Sequence, residues 1–163
     1  MPTIVHRFVL AGTESDVPFA RRKVIDQVRT WGVPMDDEKA DAIRLVASEL
    51  ITNAVVHGKG PVTVTLYLRS GSLVIDVLDG NSSAPQMSWA QDEEESGRGL
   101  ALVDLLALRC AWAPSERGKH VWAEIELPMT APAIRAAVLR RFFARRPKQG
   151  IVAEPEPLTL AVA

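Results

Sequence analysis

Glu49-Leu50-Ile51-Thr52-Asn53-Ala54-Val55-Val56-His57-Gly58 closes a long amphipathic run that begins near Asp36. Ala40, Ile43, Val46, Ala47, Leu50, Ile51 and Ala54 recur at three- and four-residue steps, the period of a helix with one buried face. Glu49, Asn53 and His57 fall at i, i+4 and i+8, so a helix stacks them along one edge of the apolar stripe. A carboxylate and an amide at a core-facing edge are costly to bury unless something pairs with them. The surface edge of an ordinary helix also carries Glu and Asn, so the meaning of the pair depends on what surrounds it. The helix must stop at His57-Gly58-Lys59-Gly60-Pro61, where two glycines and a proline forbid continuation.

Upstream, residues 3–10 are β-branched and partly alternating, and predict a first strand. Asp16 ahead of Val17-Pro18 marks the start of a helix that runs to about Trp31 and stops at Gly32. Its expected buried residues are Phe19, Val24, Val28 and Trp31, with Arg21, Arg22 and Lys23 on the solvated side. Asp36 or Asp37 caps the second helix.

Downstream, residues 62–68 and 73–78 predict two strands joined by the short turn Arg69-Ser70-Gly71-Ser72, a hairpin. The second runs into Asp79-Gly80-Asn81, a sharp exit built from residues that tolerate positive φ, and also the composition of a plain turn. Residues 86–96 are polar and acidic and read as a loop. Gly97-Arg98-Gly99-Leu100 then opens an apolar helix, where bare amides at the N-terminus suit an anion such as phosphate. A last hairpin follows: residues 108–113, a turn at 114–119, and residues 120–127. A short basic helix is expected at 132–145, with a tail from Pro147.

Composition narrows the classes. The 163 residues are 47% hydrophobic, which fits one domain with a full core and some tail. No apolar run approaches the ~20 residues of a membrane helix, and no secretory pattern opens the chain, so a cytoplasmic protein without a membrane span is expected. The single Cys110 offers neither a disulfide nor a metal cluster and is read as a packed, inert thiol. A net charge of −1 gives no global field toward nucleic acid. The six Arg/Lys between Ala131 and Gly150, with Phe142 and Phe143 expected among the apolar positions of the same helix, read as a solvated or partner-docking face rather than a nucleic-acid site. The element order gives an α+β, two-layer sandwich: a mixed, mostly antiparallel sheet with its helices on one face. A core domain spans residues 1–128, and a basic helical extension with a tail spans 129–163.

An acid-x-x-x-Asn helix, a strand ending in Asp and a Gly-x-Gly helix start follow in that order. Together they resemble the GHKL superfamily, the Bergerat-type ATP-binding fold of histidine kinases, gyrase subunits and ATP-dependent chaperones. The stretches Glu49 to Gly58, Gly97 to Asp104 and Gly118 to Glu124 are similar to the stand-alone anti-sigma-factor serine/threonine kinases of actinobacterial type. The resemblance implies ATP and Mg²⁺ as cofactors, with Asn53 as the Mg²⁺ ligand and Glu49 as the general base. It implies that Asp79 accepts the adenine amino group, with Asn81 beside it. Gly97, Arg98, Gly99 and Leu100 would cradle the phosphates, and His120, where the family often has Thr, would stand on the adenine side. The implied partners are a sigma factor and a STAS-domain anti-anti-sigma protein, and homodimers occur among such relatives. The implied function is an ATP-dependent kinase that phosphorylates the STAS antagonist and acts as an anti-sigma factor. The competing function is an ATP-gated or nucleotide-independent protein-binding regulator without kinase activity, suggested by the altered box at Asp79 and the acidic run Asp92-Glu93-Glu94-Glu95.

Overall fold

The computed structural model describes residues 3–84 and 98–128. Along them run β1 (Ile4–Leu10), α1 (Asp16–Thr30), α2 (Asp37–His57), β2 (Val62–Arg69), β3 (Ser72–Asp79), α3 (Arg98–Leu106), β4 (Arg109–Ser115) and β5 (Gly118–Glu126). The strands form one sheet in the order β1-β2-β3-β5-β4. The α+β two-layer architecture expected from the sequence is the one observed. Every pairing among the described strands is antiparallel. The reason lies in the connections: Leu10 pairs with Val62, so α1 and α2 together return the chain to the end of the sheet it left.

Side-chain alternation sorts the sheet into two faces. Phe8 and Leu10, Val62, Val64 and Leu66, Leu73, Ile75 and Val77, and Val121, Ala123 and Ile125 join residues of all three helices in one buried core. All seven apolar positions of α2 named from its periodicity are buried there. The other face carries polar pairs. Ser72 donates to Glu124 at 2.6 Å, and the Arg109 guanidinium meets the same carboxylate.

Local chemistry sets the helix ends. Asp36 caps α2 by accepting from the Lys39 amide at 2.7 Å. Asp16 opens α1, and its carboxylate accepts from the Gly12 and Thr13 amides, tying the preceding turn to the helix. The Thr13 amide bond holds that carboxyl below its ordinary range. α1 stops at Gly32, whose φ of 72° is the left-handed conformation that ends helices.

Three expectations change. Phe19 is 52% exposed rather than buried, and Ala20 and Ile25 fill the core positions beside Val24 and Val28. Lys23 is half-buried, not simply solvated: its ammonium lies 4.6 Å from the Phe8 ring centroid and 5.7 Å from that of Phe19. The last hairpin is tighter than residues 114–119 imply, because Ser115 pairs with Gly118 and Pro114 sits inside β4. β4 is the edge strand, where a missing N–H costs no ladder bond. The loop at 86–96, the helix at 132–145 and the tail lie outside the described residues.

Candidate functional site

The candidate site residues are strung along and around α2 (Asp37–His57). At its C-terminal end Gly58 donates to Ala54, and the next residues are laced to the exit of β3. Gly80 donates to the Lys59 carbonyl at 3.0 Å, and the Asn81 side-chain amide donates to the His57 carbonyl at 2.6 Å. Gly58 is obligatory here, since a Cβ would lie 2.7 Å from the Asp79 Cβ. The spacing of α2 and the Asp-Gly-Asn exit, read separately in the sequence, are thus brought into contact.

Two turns earlier on the same helix, Glu49 reaches the start of α3. A Cβ on Gly99 would stand 1.9 Å from Glu49 Oε2, so the absent side chain is what gives the carboxylate its place. Burial pushes the Glu49 carboxyl above the ordinary glutamate range. Asn53, one turn on, is 7% exposed, and its Oδ1 has no hydrogen-bond partner among the described residues. An oxygen of that kind is an open position for a donor or a cation. Leu100 points into the core and leaves only its backbone for a ligand. Arg98 opens α3, and Gly97 lies outside the described residues.

At the other end Asp79 is spent on protein partners. Its Oδ1 accepts from the Asn81 amide at 2.8 Å and from Lys119 Nζ at 3.0 Å. The two side chains are 0% and 1% exposed, an ion pair sealed from water. Lys119 also donates to the Asn81 carbonyl at 3.3 Å. The sequence reading missed Lys119, although the alternation of Val121, Ala123 and Ile125 already puts residue 119 on the inward face. His120 does not join the site. It lies on the opposite face, where Nδ1 contacts both oxygens of Asp76 at 3.0 and 3.1 Å. Neighbours on a strand point to opposite faces, so His120 and Lys119 cannot both face Asp79.

A family profile described as the histidine kinase-like ATPase domain matches residues 13–125, more than half of the chain. The chain belongs to the histidine kinase-like ATPase domain family. No curated protein sequence matches it. Among solved structures it is similar in fold to the RsbU and RsbW domains of Rv1364c from Mycobacterium tuberculosis, with a TM-score of 0.56 and 18% identity. That likeness covers 79% of this chain and 34% of the other, so the chain spans about a third of its neighbour's length.

The family's ATPase character can be tested against the residues present. The unpaired Asn53 oxygen is a hard donor that suits Mg²⁺, with the Glu49 carboxylate one helical turn away. The Cβ-free space at Gly99 brings the start of α3 against that carboxylate. The residues fit a metal–phosphate group. Elsewhere, Cys110 is a packed thiol pushed up to about 12 by burial and the nearby Asp104 carboxylate, as its expected inertness requires. Among the described residues, no helix is long and apolar enough to cross a membrane.

Proposed function

We propose that the chain is an ATP-dependent regulatory serine/threonine protein kinase that also acts as an anti-sigma factor, with a STAS-domain antagonist as the phosphorylated partner. The observation that carries this reading is the half-buried Glu49 carboxylate, made more basic by burial, one helical turn from the unpaired oxygen of Asn53 and against the start of α3. A pure binding module has no need of a buried base. The family match and the ordered motifs support the same reading.

In this reading Asn53 holds Mg²⁺, which supplies charge neutralisation for the phosphates when bound. Glu49 takes the proton of the incoming serine hydroxyl, and its raised pKa makes it a stronger acceptor. The α3 N-terminus offers backbone amides to the phosphate oxygens. A second reading, a protein-binding regulator that does not depend on nucleotide, is favoured by one observation: Asp79, the expected base reader, is sealed against Lys119.

The deciding experiment incubates the protein with radiolabelled ATP, Mg²⁺ and candidate STAS proteins. Glu49→Gln keeps the shape but removes the basicity, so transfer is expected to fall at least ~100-fold while Mg-ADP affinity stays within a few-fold. Transfer at the wild-type rate by Glu49→Gln would remove Glu49 as the base. Absence of transfer by the wild type to any STAS protein, with partner binding intact, would leave the second reading.

A further inference from the structure

An antiparallel sheet can leave one face to water, and the face turned away from the helices is the one expected to be open here. Its middle is nevertheless buried. Two adjacent rows of outward residues cross the strands there: Tyr67, Val74 and Glu124, and beside them Asp76, Trp122 and Ala111. Tyr67 is 5% exposed, Val74 3% and Glu124 2%. The Trp122 indole Nε1 is buried with no hydrogen-bond partner among the described residues. α1, α2 and α3 all join the core on the other face, so none of them supplies this cover. The cover is also bounded, since the outward Val5 and Val9 on β1 are 40% and 64% exposed. Rows two residues apart on a strand lie about 7 Å from each other. One helix, about 10 Å across, spans that width. A buried strip without a packed element, holding a buried donor without an acceptor, points to a further segment lying on it.

We propose that the chain's own C-terminal segment, residues 129–163, docks across this outer face, with the helix expected at 132–145 lying over the two rows. The chain leaves β5 beside the strip. Leu127 donates to the Gly71 carbonyl at 2.9 Å, and Glu126 pairs with Ser72 in the neighbouring row. The reach is sufficient, because a helix over 132–145 is about 21 Å long and four strands span about 14 Å. The side chains match as well. Ile134, Val138, Leu139 and Phe142 recur at three- and four-residue steps, an apolar stripe suited to Tyr67, Val74 and Trp122. Charge does not choose the occupant, since Arg7, Arg69 and Arg109 stand on this face together with Asp76, Glu124 and Glu126. Residues 85–97 have another task, because they must connect the exit of β3 to α3 on the helix side. The Trp122 N–H is left for an acceptor of the docked segment. This inference does not depend on the nucleotide reading.

Tyr67 is the only tyrosine of the chain, so nitration by tetranitromethane reports on this face alone. In the folded full chain it is expected to be at least ~10-fold slower than in the same chain unfolded in urea. Leu139→Asp and, separately, Phe142→Asp place a carboxylate in the docked stripe and should raise the folded rate at least ~5-fold, with circular dichroism showing the sheet intact. Where an aspartate variant loses the sheet, the milder Phe142→Ser should still raise the rate. Nitration of folded wild type at the unfolded rate would overturn the proposal, and that comparison needs no variant. A slow rate that every variant leaves unchanged would also overturn it, since something other than this segment would then cover Tyr67. Protection that fades on dilution would assign the cover to a second copy of the chain and overturn it equally.

Discussion

The two ends of the candidate site treat a carboxylate in opposite ways. Glu49 is half-buried, has no cation beside it among the contacts described, and faces a gap left by Gly99. Asp79 is fully buried, ion-paired to Lys119, bonded to the Asn81 amide and walled by Gly58 and Gly118. The difference teaches where this chain has kept freedom. An acid that must take up and release a proton cannot be clamped by a permanent cation, since the cation would favour the charged form throughout. An acid that holds a fixed position can be. On the proposed reading, the Glu49 end is the one left free to change protonation, and the Asp79 end is held constant.

The largest expected effect breaks the constant end. Lys119→Met leaves an uncompensated buried carboxylate and should cost roughly 3–5 kcal/mol in urea unfolding. The double change Asp79→Asn with Lys119→Met should recover most of that, because no charge is then buried. Equal stability of Lys119→Met and wild type would show that the pair holds nothing together. By contrast, Arg44→Met, which removes the exposed partner of Asp41, should shift stability by no more than about 0.5 kcal/mol.

Two glycines sharpen the contrast. Gly118 has φ 138°, and a Cβ there would meet the Asp79 backbone oxygen at 1.8 Å, so Gly118→Ala should destabilise by about 3 kcal/mol. Gly99→Ala meets only the end of the Glu49 side chain, which can swing aside. Its stability should change by less than about 1 kcal/mol, yet phosphoryl transfer should fall at least ~10-fold because the base is displaced. Thermal unfolding alongside the radiolabel assay separates the two outcomes. A large loss of stability in Gly99→Ala would mean that end is as rigid as the other.

The smallest effect comes from the far face and should touch neither end. The hydrogen bond that His120 Nδ1 donates to the Asp76 carboxylate raises the His120 pKa, against the opposing influence of burial. A raised folded-state value means that the stabilisation is complete below the ordinary histidine range and is lost as pH rises through the folded value. Stability should therefore decline slightly from about pH 6 to 8, and His120→Ala should flatten that slope without altering Mg-ADP affinity. A change in nucleotide affinity for His120→Ala would put this face back into the site.

Much of the fold was legible. The buried stripe of α2, the Ser70-Gly71 hairpin and the stop at Gly58 follow from helical period, turn chemistry and the lack of a Cβ. The companionship of Glu49 with Asn53 was legible too, because residues one turn apart share a face. Less was visible where a contact spans elements. The packing of Gly99 on Glu49 joins positions fifty residues apart, and neither glycine nor glutamate announces its partner. Phe19 was misplaced because periodicity alone allows the stripe of α1 to rotate by one position, and in the folded core it is Ala20 and Ile25 that are buried beside Val24 and Val28.

The sequence by itself determined the order of elements, the helical spacing of Glu49 and Asn53, the Asp-ended strand and the family they resemble. These depend on local sterics and on side-chain period, which a linear chain already contains. Alternation already puts residue 119 on the inward face, but only the tertiary structure decided that Lys119 is the inward residue standing opposite Asp79. The β3–β5 register pairs Asp79 with Lys119, and another register would set a different residue against the carboxylate. Register is a relation between strands, and it exists only once they are paired.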